Sequence, residues 1–332
     1  MLNVAVIGTG NMGKHHVRVY SEIESCNLVA VAEKDQEVGK KIADKFDCKY
    51  YQDYNYMLEK ENIDAVSIVV PTPFHKEVAL KCMKHVKAML IEKPIAMDLE
   101  ESNEIIKEAE KNNVKLMIGH IERFNPAVKR LKEIIESGEL GEIISIVSKR
   151  VGLFPPRMKD ANVVLDLAVH DIDISSFLLG KVPQNVFSVS GRASNGFRED
   201  YADIFIKYKD TPSLFIQVNW LTPVKIRKLH ITGTKGYAEL NYITQELVLY
   251  KSIYENGESN FEELVKMTTP KKEIVEIEKR EPLKEELNTF LSFVDGGKCL
   301  SSGIDGLNAL KIALSVIESS KKNEVIKVDD DD

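Results

Sequence analysis

The sequence has few cysteines, and their positions exclude two common kinds of small structural site. Its 332 residues include four cysteines, Cys26, Cys48, Cys82 and Cys299, with no C-x-x-C spacing and no paired histidines nearby. A zinc cage or a disulfide framework would need such clustering. We therefore expect the four residues to be buried thiols.

The sequence also lacks a long apolar run and an excess of basic residues. No segment reaches the roughly 18 uncharged apolar residues that span a bilayer, and the first residues have a strand pattern instead of a cleavable signal. The 52 acidic and 45 basic side chains are interspersed and give a net charge of -7, so no basic face would attract nucleic acid or anionic lipid. We expect a cytoplasmic protein that binds neither nucleic acid nor membrane.

No internal repeat or low-complexity linker is present, and the 43% hydrophobic content suffices for two domains with their own cores. Residues 1–120 alternate short apolar runs with segments of helical periodicity. The predicted strands are residues 4–7, 28–32, 65–70, 88–91 and 116–119, and the predicted helices are 38–46, 54–61, 75–85 and 99–112. This β-α alternation predicts an α/β domain with a Rossmann-type, doubly wound parallel sheet.

From residue 121 to 328 the pattern changes to the alternation that is typical of antiparallel strands. We predict strands at residues 143–151, 185–192, 201–208, 213–220, 227–233, 237–241 and 246–250, and helices at 127–137, 163–179, 283–296 and 303–321. These elements predict an α+β domain with an open, mostly antiparallel sheet and helices on one face. A second copy is the simplest cover for the other face, so we expect a homodimer or homotetramer. Residues 329–332 are an acidic tail that we leave out of the fold.

A glycine-rich loop carries the first functional signal. The first strand runs directly into Gly8, Thr9, Gly10, Asn11, Met12 and Gly13, and a predicted helix follows. In this pattern the first glycine allows a tight turn, the second admits a pyrophosphate, and the third lets the helix pack close to the strand.

The residue that ends the second predicted strand indicates which dinucleotide is bound. Glu33 lies 20 positions beyond Gly13, where an acid accepts hydrogen bonds from a ribose 2′-hydroxyl and repels a 2′-phosphate. We therefore predict that the cofactor is NAD and that Glu33 and Lys34 are among the residues that bind it, although Lys34 weakens the preference over NADP.

Ligands of doubly wound sheets bind beyond the carboxyl ends of the strands, which directs attention to Lys93. This lysine follows a buried apolar strand, between Glu92 and Pro94. An ammonium group there could bond a substrate hydroxyl and stabilise the oxyanion that develops as hydride leaves its carbon. The alternative is an ordinary solvated lysine.

In the second domain, an acid and a histidine four residues apart, Asp166 and His170, would share one face of a helix. An imidazole titrates near neutrality, so His170 could take a hydroxyl proton while Asp166 orients the ring. A helix-surface or capping histidine is the alternative. Asp173 lies on the same face, but no second histidine does, so we expect no metal.

Three arginines, Arg123, Arg150 and Arg157, flank the predicted cleft and could hold a diphosphate in bidentate fashion. Each could instead be a surface arginine or an ion-pair partner. Trp220, the only tryptophan, ends a predicted strand and is expected in the core or the cleft wall.

Together these motifs resemble the glucose-fructose oxidoreductase / inositol 2-dehydrogenase family, called Gfo/Idh/MocA. The likeness spans nearly the whole chain, and its diagnostic part is Glu92-Lys93-Pro94 combined with Asp166-x-x-x-His170. The resemblance implies a catalytic group of Lys93, Asp166 and His170. It also implies that Thr72, Pro73, His75 and Glu92 line the nicotinamide.

Within the family, three segments resemble the branch that acts on UDP-linked N-acetylhexosamines. They are Arg123-Phe124-Asn125-Pro126, the run from Arg150 to Arg157, and the run from Leu165 to Asp173. The resemblance implies that Arg123, Asn125, Arg150 and Arg157 bind the substrate beside the catalytic residues. The implied reaction is oxidation of the C3 hydroxyl of UDP-N-acetylglucosamine to a 3-keto nucleotide sugar.

Three other functions remain open at this point. The chain could oxidise another sugar or polyol, such as inositol or the uronic acid of the nucleotide sugar. It could reduce an imine or a linear tetrapyrrole, although neither reaction needs a hydroxyl base. It could also be a non-enzymatic NAD-binding regulator, although it shows no basic reading helix.

Overall fold

The computed structural model describes residues 1–153, 162–194, 198–210, 212–251 and 271–328. The chain forms two compact units, Met1–Phe124 with Glu281–Lys311, and Asn125–Arg280 with Ile312–Asp332. The sequence pattern predicts contiguous domains at 1–120 and 121–328, whereas these units are interleaved. The difference arises because Leu283, Leu287 and Phe290 are buried in the hydrophobic core of the first unit.

The described ranges contain helices and strands that we number in chain order. The α-helices are α1 (Gly13–Glu22), α2 (Gln36–Phe46), α3 (Tyr54–Lys60), α4 (His75–Cys82), α5 (Leu99–Lys111), α6 (Pro126–Glu136), α7 (Val169–Leu179), α8 (Pro282–Val294) and α9 (Gly303–Lys322). The strands are β1 (Leu2–Ile7), β2 (Cys26–Ala32), β3 (Lys49–Tyr51), β4 (Ala65–Ile68), β5 (Ala88–Glu92), β6 (Lys115–Gly119), β7 (Ile143–Leu153), β8 (Pro183–Gly191), β9 (Tyr201–Tyr208), β10 (Ser213–Asn219), β11 (Leu221–Gly233), β12 (Gly236–Asn241), β13 (Glu246–Lys251), β14 (Lys271–Val275) and β15 (Ile326–Lys327). Two 3₁₀ turns, Thr72–Phe74 and Ile121–Phe124, and a π-helical turn, Val164–Ala168, complete the regular structure of these ranges.

The first unit is built on a parallel sheet with strand order β3-β2-β1-β4-β5-β6. Each neighbouring pair of strands in it is parallel. This is the strand order of a Rossmann fold and confirms the predicted doubly wound sheet. The central strands β4 and β5 are buried along their whole length, which is why they appear in the sequence as continuous apolar runs.

Aspartate side chains cap three helices of this unit, α2, α3 and α5. The carboxylate of Asp35 accepts hydrogen bonds from the backbone N–H groups of Glu37 and Val38 at the start of α2. Asp98 accepts the N–H of Glu101 in the same way at the start of α5, at 2.8 Å. Each such cap contributes about 1 kcal/mol. Because Asp35 comes two residues after Glu33, its cap also fixes the loop that presents this acid.

The second unit contains a mixed, mostly antiparallel sheet with strand order β14-β13-β12-β11-β7-β10-β9-β8-β15. The pair β7 and β10 is parallel, and the other paired strands are antiparallel. Alternate residues such as Ile204 and Ile216 form a core with helical residues such as Leu131 and Ile172. The predicted α+β architecture is therefore confirmed, and the strands that the sequence pattern missed are β3, β14 and β15.

Two smaller expectations have definite outcomes. Cys26 and Cys82 are buried as expected, but Cys48 and Cys299 are only partly so. None of the helices in the described ranges combines the length and apolar character that a bilayer crossing requires.

Candidate active site

The glycine loop that connects β1 to α1 has no space for a side chain at two of its three glycines. Gly8 has a φ of +91°, and a Cβ atom there would lie 2.7 Å from the backbone oxygen of Val69. A Cβ on Gly13 would lie 1.9 Å from the backbone oxygen of Gly8, so only glycine lets the helix approach this closely. Gly10, by contrast, is exposed and has open space around its Cα. The loop therefore offers its backbone to a pyrophosphate, as the sequence predicts.

The carboxylate of Glu33 is held against this loop. Its Oε2 accepts hydrogen bonds from the backbone N–H of Thr9 at 2.8 Å and from the Thr9 hydroxyl at 3.1 Å. Its Oε1 accepts the backbone N–H of Asp35 at 3.2 Å. A half-buried, fixed carboxylate beside the glycine loop can bond a ribose hydroxyl and would repel a 2′-phosphate.

Lys34, which the sequence places among the cofactor residues, is directed to a different partner. Its ammonium group lies 4.8 Å from the centre of the Phe74 ring. Both side chains are exposed. The ammonium group of Lys34 thus makes a cation–π contact with Phe74 and takes no part in the hydrogen bonds from Thr9 and Asp35 that hold Glu33.

Lys93 lies directly after β5, half-buried, and its backbone is held by its neighbour. Glu92 Oε2 accepts the backbone N–H of Lys93 at 3.2 Å, and Glu92 Oε1 accepts Nε2–H of the buried His16 at 3.0 Å. Burial raises the pKa of Glu92, but the hydrogen bond from His16 and the charges of His16 and Lys93 outweigh it and bring the pKa below its ordinary value. Glu92 is therefore a buried carboxyl group that supports the backbone of Lys93 and is itself held by His16.

A third buried group, Glu286 of α8, belongs to the same cluster. His16, Glu92 and Glu286 each offer a ligand atom within 4.8 Å of the others. One imidazole and two carboxylates could hold a divalent cation, or could share protons instead. The expectation that the protein binds no metal stays a prediction. No sequence motif indicated Glu286, because it lies far along the chain from its partners.

The loop after β4 contains the predicted residues Thr72, Pro73 and His75. Thr72 is half-buried and Pro73 is exposed, so both have surface that a cofactor could reach. The side chain of His75, however, is buried between two backbone carbonyls, with Nδ1 3.0 Å from Pro94 O and Nε2 2.9 Å from Val70 O. Burial lowers the pKa of His75, although the two carbonyl acceptors and the charge of Glu92 oppose this effect. The resemblance implies that His75 contacts the nicotinamide directly, but its ring is buried and faces backbone carbonyls instead.

Two predicted substrate residues, Arg123 and Asn125, are buried and have structural contacts. Arg123 donates from Nη1 to Leu300 O at 2.8 Å and from Nη2 to Asp305 Oδ1 at 3.1 Å. Asn125 caps α6 by accepting the N–H of Ala127, and its Nδ2 donates to the backbone oxygen of Tyr242. These hydrogen bonds engage both side chains within the protein, and their predicted role in substrate binding stays a prediction.

Arg150 is also buried, against the prediction that it binds a diphosphate. Its Nε donates to Asp171 Oδ2 at 2.7 Å and its Nη2 to Asp171 Oδ1 at 3.1 Å, which forms a bidentate pair. Ser148 donates a further hydrogen bond to Asp171 at 2.7 Å, and the Arg150 guanidinium lies over the Tyr242 ring at 4.9 Å. A phosphate would therefore have to compete with Asp171 for Nε and Nη2 of this guanidinium. Arg157 lies outside the described residues.

Asp166 and His170 occupy the π-helical turn and the first turn of α7, respectively. Both are half-buried. Asp166 Oδ2 accepts the indole N–H of Trp220 at 3.2 Å, so the carboxylate has a fixed position in the helix. Trp220 is a buried core residue, as the sequence suggests, but its bond to Asp166 could not be predicted from any local pattern. Single π-helical turns are frequent at functional sites.

The structure therefore groups the predicted residues into two sets. The first set belongs to the first unit and consists of residues that follow its parallel strands: Gly8 after β1, Glu33 after β2, Thr72 after β4 and Lys93 after β5. The carboxyl ends of parallel strands lie at one edge of the sheet. The second set belongs to the second unit: Asp166 lies four residues before His170 and accepts the hydrogen bond from Trp220. That Lys93 and His170 meet at one substrate stays a prediction.

The fold and the glycine loop define an NAD-binding oxidoreductase domain. Residues 2–120 match the oxidoreductase family with an NAD-binding Rossmann fold, and residues 128–239 match the GFO/IDH/MocA C-terminal domain. The chain belongs to the GFO/IDH/MocA family, and its cofactor is NAD.

Three known proteins show how far this likeness extends. The chain is 28% identical to UDP-N-acetylglucosamine 3-dehydrogenase of Acidithiobacillus ferrooxidans, over 95% of this chain and 96% of the other. A solved structure of that enzyme superposes with a TM-score of 0.84 at 26% identity, covering 97% and 98% of the two chains. Myo-inositol 2-dehydrogenase of Thermotoga maritima is 25% identical over 99% of both chains. A solved oxidoreductase from Agrobacterium radiobacter, in complex with NAD+, L-tartaric acid and magnesium, has the same fold, with a TM-score of 0.85 at 19% identity over 98% of each chain.

Proposed function

We propose that this protein is an NAD-dependent dehydrogenase that oxidises the C3 hydroxyl of UDP-N-acetylglucosamine to the 3-keto nucleotide sugar. The observation that carries the proposal is the similarity to a UDP-N-acetylglucosamine 3-dehydrogenase over nearly the full length of both chains. The placement of Lys93 after β5 and the fixed carboxylate of Asp166 support the same chemistry.

In the proposed reaction, His170 takes the proton of the C3 hydroxyl. Asp166, held by Trp220, orients the imidazole and stabilises its cationic form. Lys93 donates a hydrogen bond to the oxygen as negative charge develops on it, which lowers the energy of the transition state. NAD+, when bound, supplies the acceptor for the hydride that leaves C3. One proton and one hydride thus leave the alcohol, and a ketone remains.

A second candidate substrate is inositol or a related polyol. Two observations favour it: the similarity to a myo-inositol dehydrogenase over 99% of both chains, and the burial of Arg150 against Asp171. Arg150 is one of the three arginines predicted to hold the diphosphate of a nucleotide sugar. Its pairing with Asp171 weakens the case for a substrate that contains a diphosphate. The chemistry at Lys93, Asp166 and His170 would be the same for either alcohol.

A substrate panel tests the proposal. Purified protein is incubated with NAD+ and, in separate reactions, with UDP-N-acetylglucosamine, its uronic acid and myo-inositol, and NADH formation is followed by absorbance. We expect the highest kcat/KM with UDP-N-acetylglucosamine and a product that NMR identifies as the 3-keto sugar. Faster turnover of inositol, or oxidation at another carbon, would contradict the proposed substrate.

We also propose that the protein is a homodimer or homotetramer, with a second copy covering the sheet of the second unit. On its outward face, Phe205, Phe215 and Val147 are 46%, 39% and 44% exposed. Phe215 pairs with Phe205 on one side and with Val147 on the other, so the three form an apolar row across adjacent strands. An identical row on a second copy would be self-complementary across a twofold axis.

A further inference from the structure

The buried imidazole of His75 joins two loops of the first unit. Its Nε2 contacts Val70 O in the loop that follows β4, and its Nδ1 contacts Pro94 O in the loop that follows β5. Only 1% of His75 is exposed. The ring therefore reaches no ligand itself, but it touches the backbone of both loops that are proposed to surround the nicotinamide.

The chemistry of the two contacts explains why a histidine is suited to this position. Carbonyl oxygens are acceptors only, and a neutral imidazole carries one N–H, so one carbonyl accepts the proton and the tautomer decides which. The protonated ring would donate to both. An aliphatic side chain of similar volume would pack in the same space but would leave the carbonyl that accepts this proton without its donor.

The second contact acts on the residue next to Lys93. The backbone of Lys93 is bonded on one side, where its N–H donates to Glu92 Oε2 at 3.2 Å. On the other side, the carbonyl of the following Pro94 lies 3.0 Å from His75 Nδ1. With the proton of His75 on Nδ1, the Lys93-Pro94 segment is therefore held at both ends by buried polar groups.

We propose that His75 is a positioning residue for the dehydrogenase reaction: it fixes the backbone of Lys93 relative to the turn that carries Thr72 and Pro73. The inference rests on the proposed function, because the position of Lys93 matters only if Lys93 acts on the substrate. A displacement of about 1 Å at a reacting group can cost about 100-fold in rate. His75 thus affects turnover through Lys93, without touching cofactor or substrate.

The test compares His75→Ala and His75→Phe with the exposed His85→Ala as the matched control. We expect kcat to fall about 30- to 100-fold in both His75 variants, with KM for NAD+ changed less than about threefold. Added imidazole should restore part of kcat in His75→Ala, whose cavity can admit it, and none in His75→Phe. A kcat within about threefold of wild type, or a matching loss in NAD+ affinity, would overturn the proposal.

A second measurement does not depend on turnover. Amide hydrogen exchange, followed by mass spectrometry, should become faster in both segments 69–75 and 92–97 of His75→Phe, and should not change in His85→Ala. Unchanged protection of these segments would overturn the proposal even if activity fell. If the wild-type protein oxidised no nucleotide sugar or polyol, the proposed function would fail, and the exchange data would still decide whether His75 holds the two loops.

Discussion

The indole N–H of Trp220 donates to Oδ2 of Asp166 across 3.2 Å. This hydrogen bond connects the end of β10 to the π-helical turn that precedes His170. Because Asp166 is the residue proposed to orient His170, the only tryptophan of the chain supports the proposed general base indirectly. Trp220 lies between β10 and β11, and the bond satisfies the polar edge of this buried aromatic residue.

The first prediction concerns this bond. Trp220→Phe removes the donor and keeps an aromatic ring, so Asp166 loses one constraint, and kcat should fall about 10-fold. A double-mutant cycle with Asp166→Ala is the measurement, because Trp220→Phe should cost little once Asp166 is absent. Equal losses in both backgrounds would show that Trp220 acts through packing alone.

The second prediction concerns Lys93. Lys93→Met keeps most of the side-chain stem and removes the ammonium group, so kcat should fall about 10²- to 10³-fold, as for other lost oxyanion donors. Binding of NADH, measured by fluorescence titration, should change little. Lys84→Met, an exposed lysine of the same unit, is the control and should retain full activity. Near-normal turnover of Lys93→Met would remove Lys93 from the mechanism.

The third prediction concerns cofactor choice. Glu33→Ala removes the carboxylate that Thr9 and Asp35 hold beside the glycine loop. We expect kcat/KM to fall about 10-fold with NAD+ and to rise with NADP+, because a ribose hydroxyl loses its acceptor and a 2′-phosphate loses a repelling charge. The exposed Glu37→Ala is the control. If the ratio of the two kcat/KM values did not change, Glu33 would not determine the preference.

The fourth prediction follows from the Arg150–Asp171 pair. Arg150→Met leaves Asp171 buried and uncompensated, so the free energy of unfolding should fall by about 3–5 kcal/mol. Arg130→Met, in the exposed pair with Glu133, should change it by less than about 1 kcal/mol. Urea denaturation measures both. A stable Arg150→Met protein with a much higher KM for the nucleotide sugar would restore Arg150 as a substrate residue.

These contacts show which parts of the structure could be predicted from the sequence. The strands β1, β4 and β5 are buried on both faces, so their apolar runs were recognisable, as was the spacing from Gly13 to Glu33. The short β3 and the exposed, charged β14 have no such pattern. The partners of Arg150 and His75 are set by tertiary packing and have no local sequence pattern. Arg150, predicted to bind a diphosphate, pairs with the buried Asp171. His75, predicted to bind the cofactor, is buried between the carbonyls of Val70 and Pro94.

The last prediction concerns the apolar row of β7, β9 and β10. Phe205→Asp and Phe215→Asp each place a charge at the centre of the proposed interface, where desolvation without a partner is costly. We expect wild type to have the mass of a dimer or tetramer in light scattering at micromolar concentration, and both variants to have the mass of a monomer.

The control for this prediction is Val38→Asp, which places a charge on an exposed apolar site of the first unit, outside the sheet. It should leave the assembled mass unchanged. Because Phe205 and Phe215 face away from the core that contains Ile204 and Ile216, their replacement should alter thermal unfolding of the isolated chain only slightly. A monomeric wild type would contradict the proposed assembly, and an assembled Phe215→Asp variant would place the interface on a different surface.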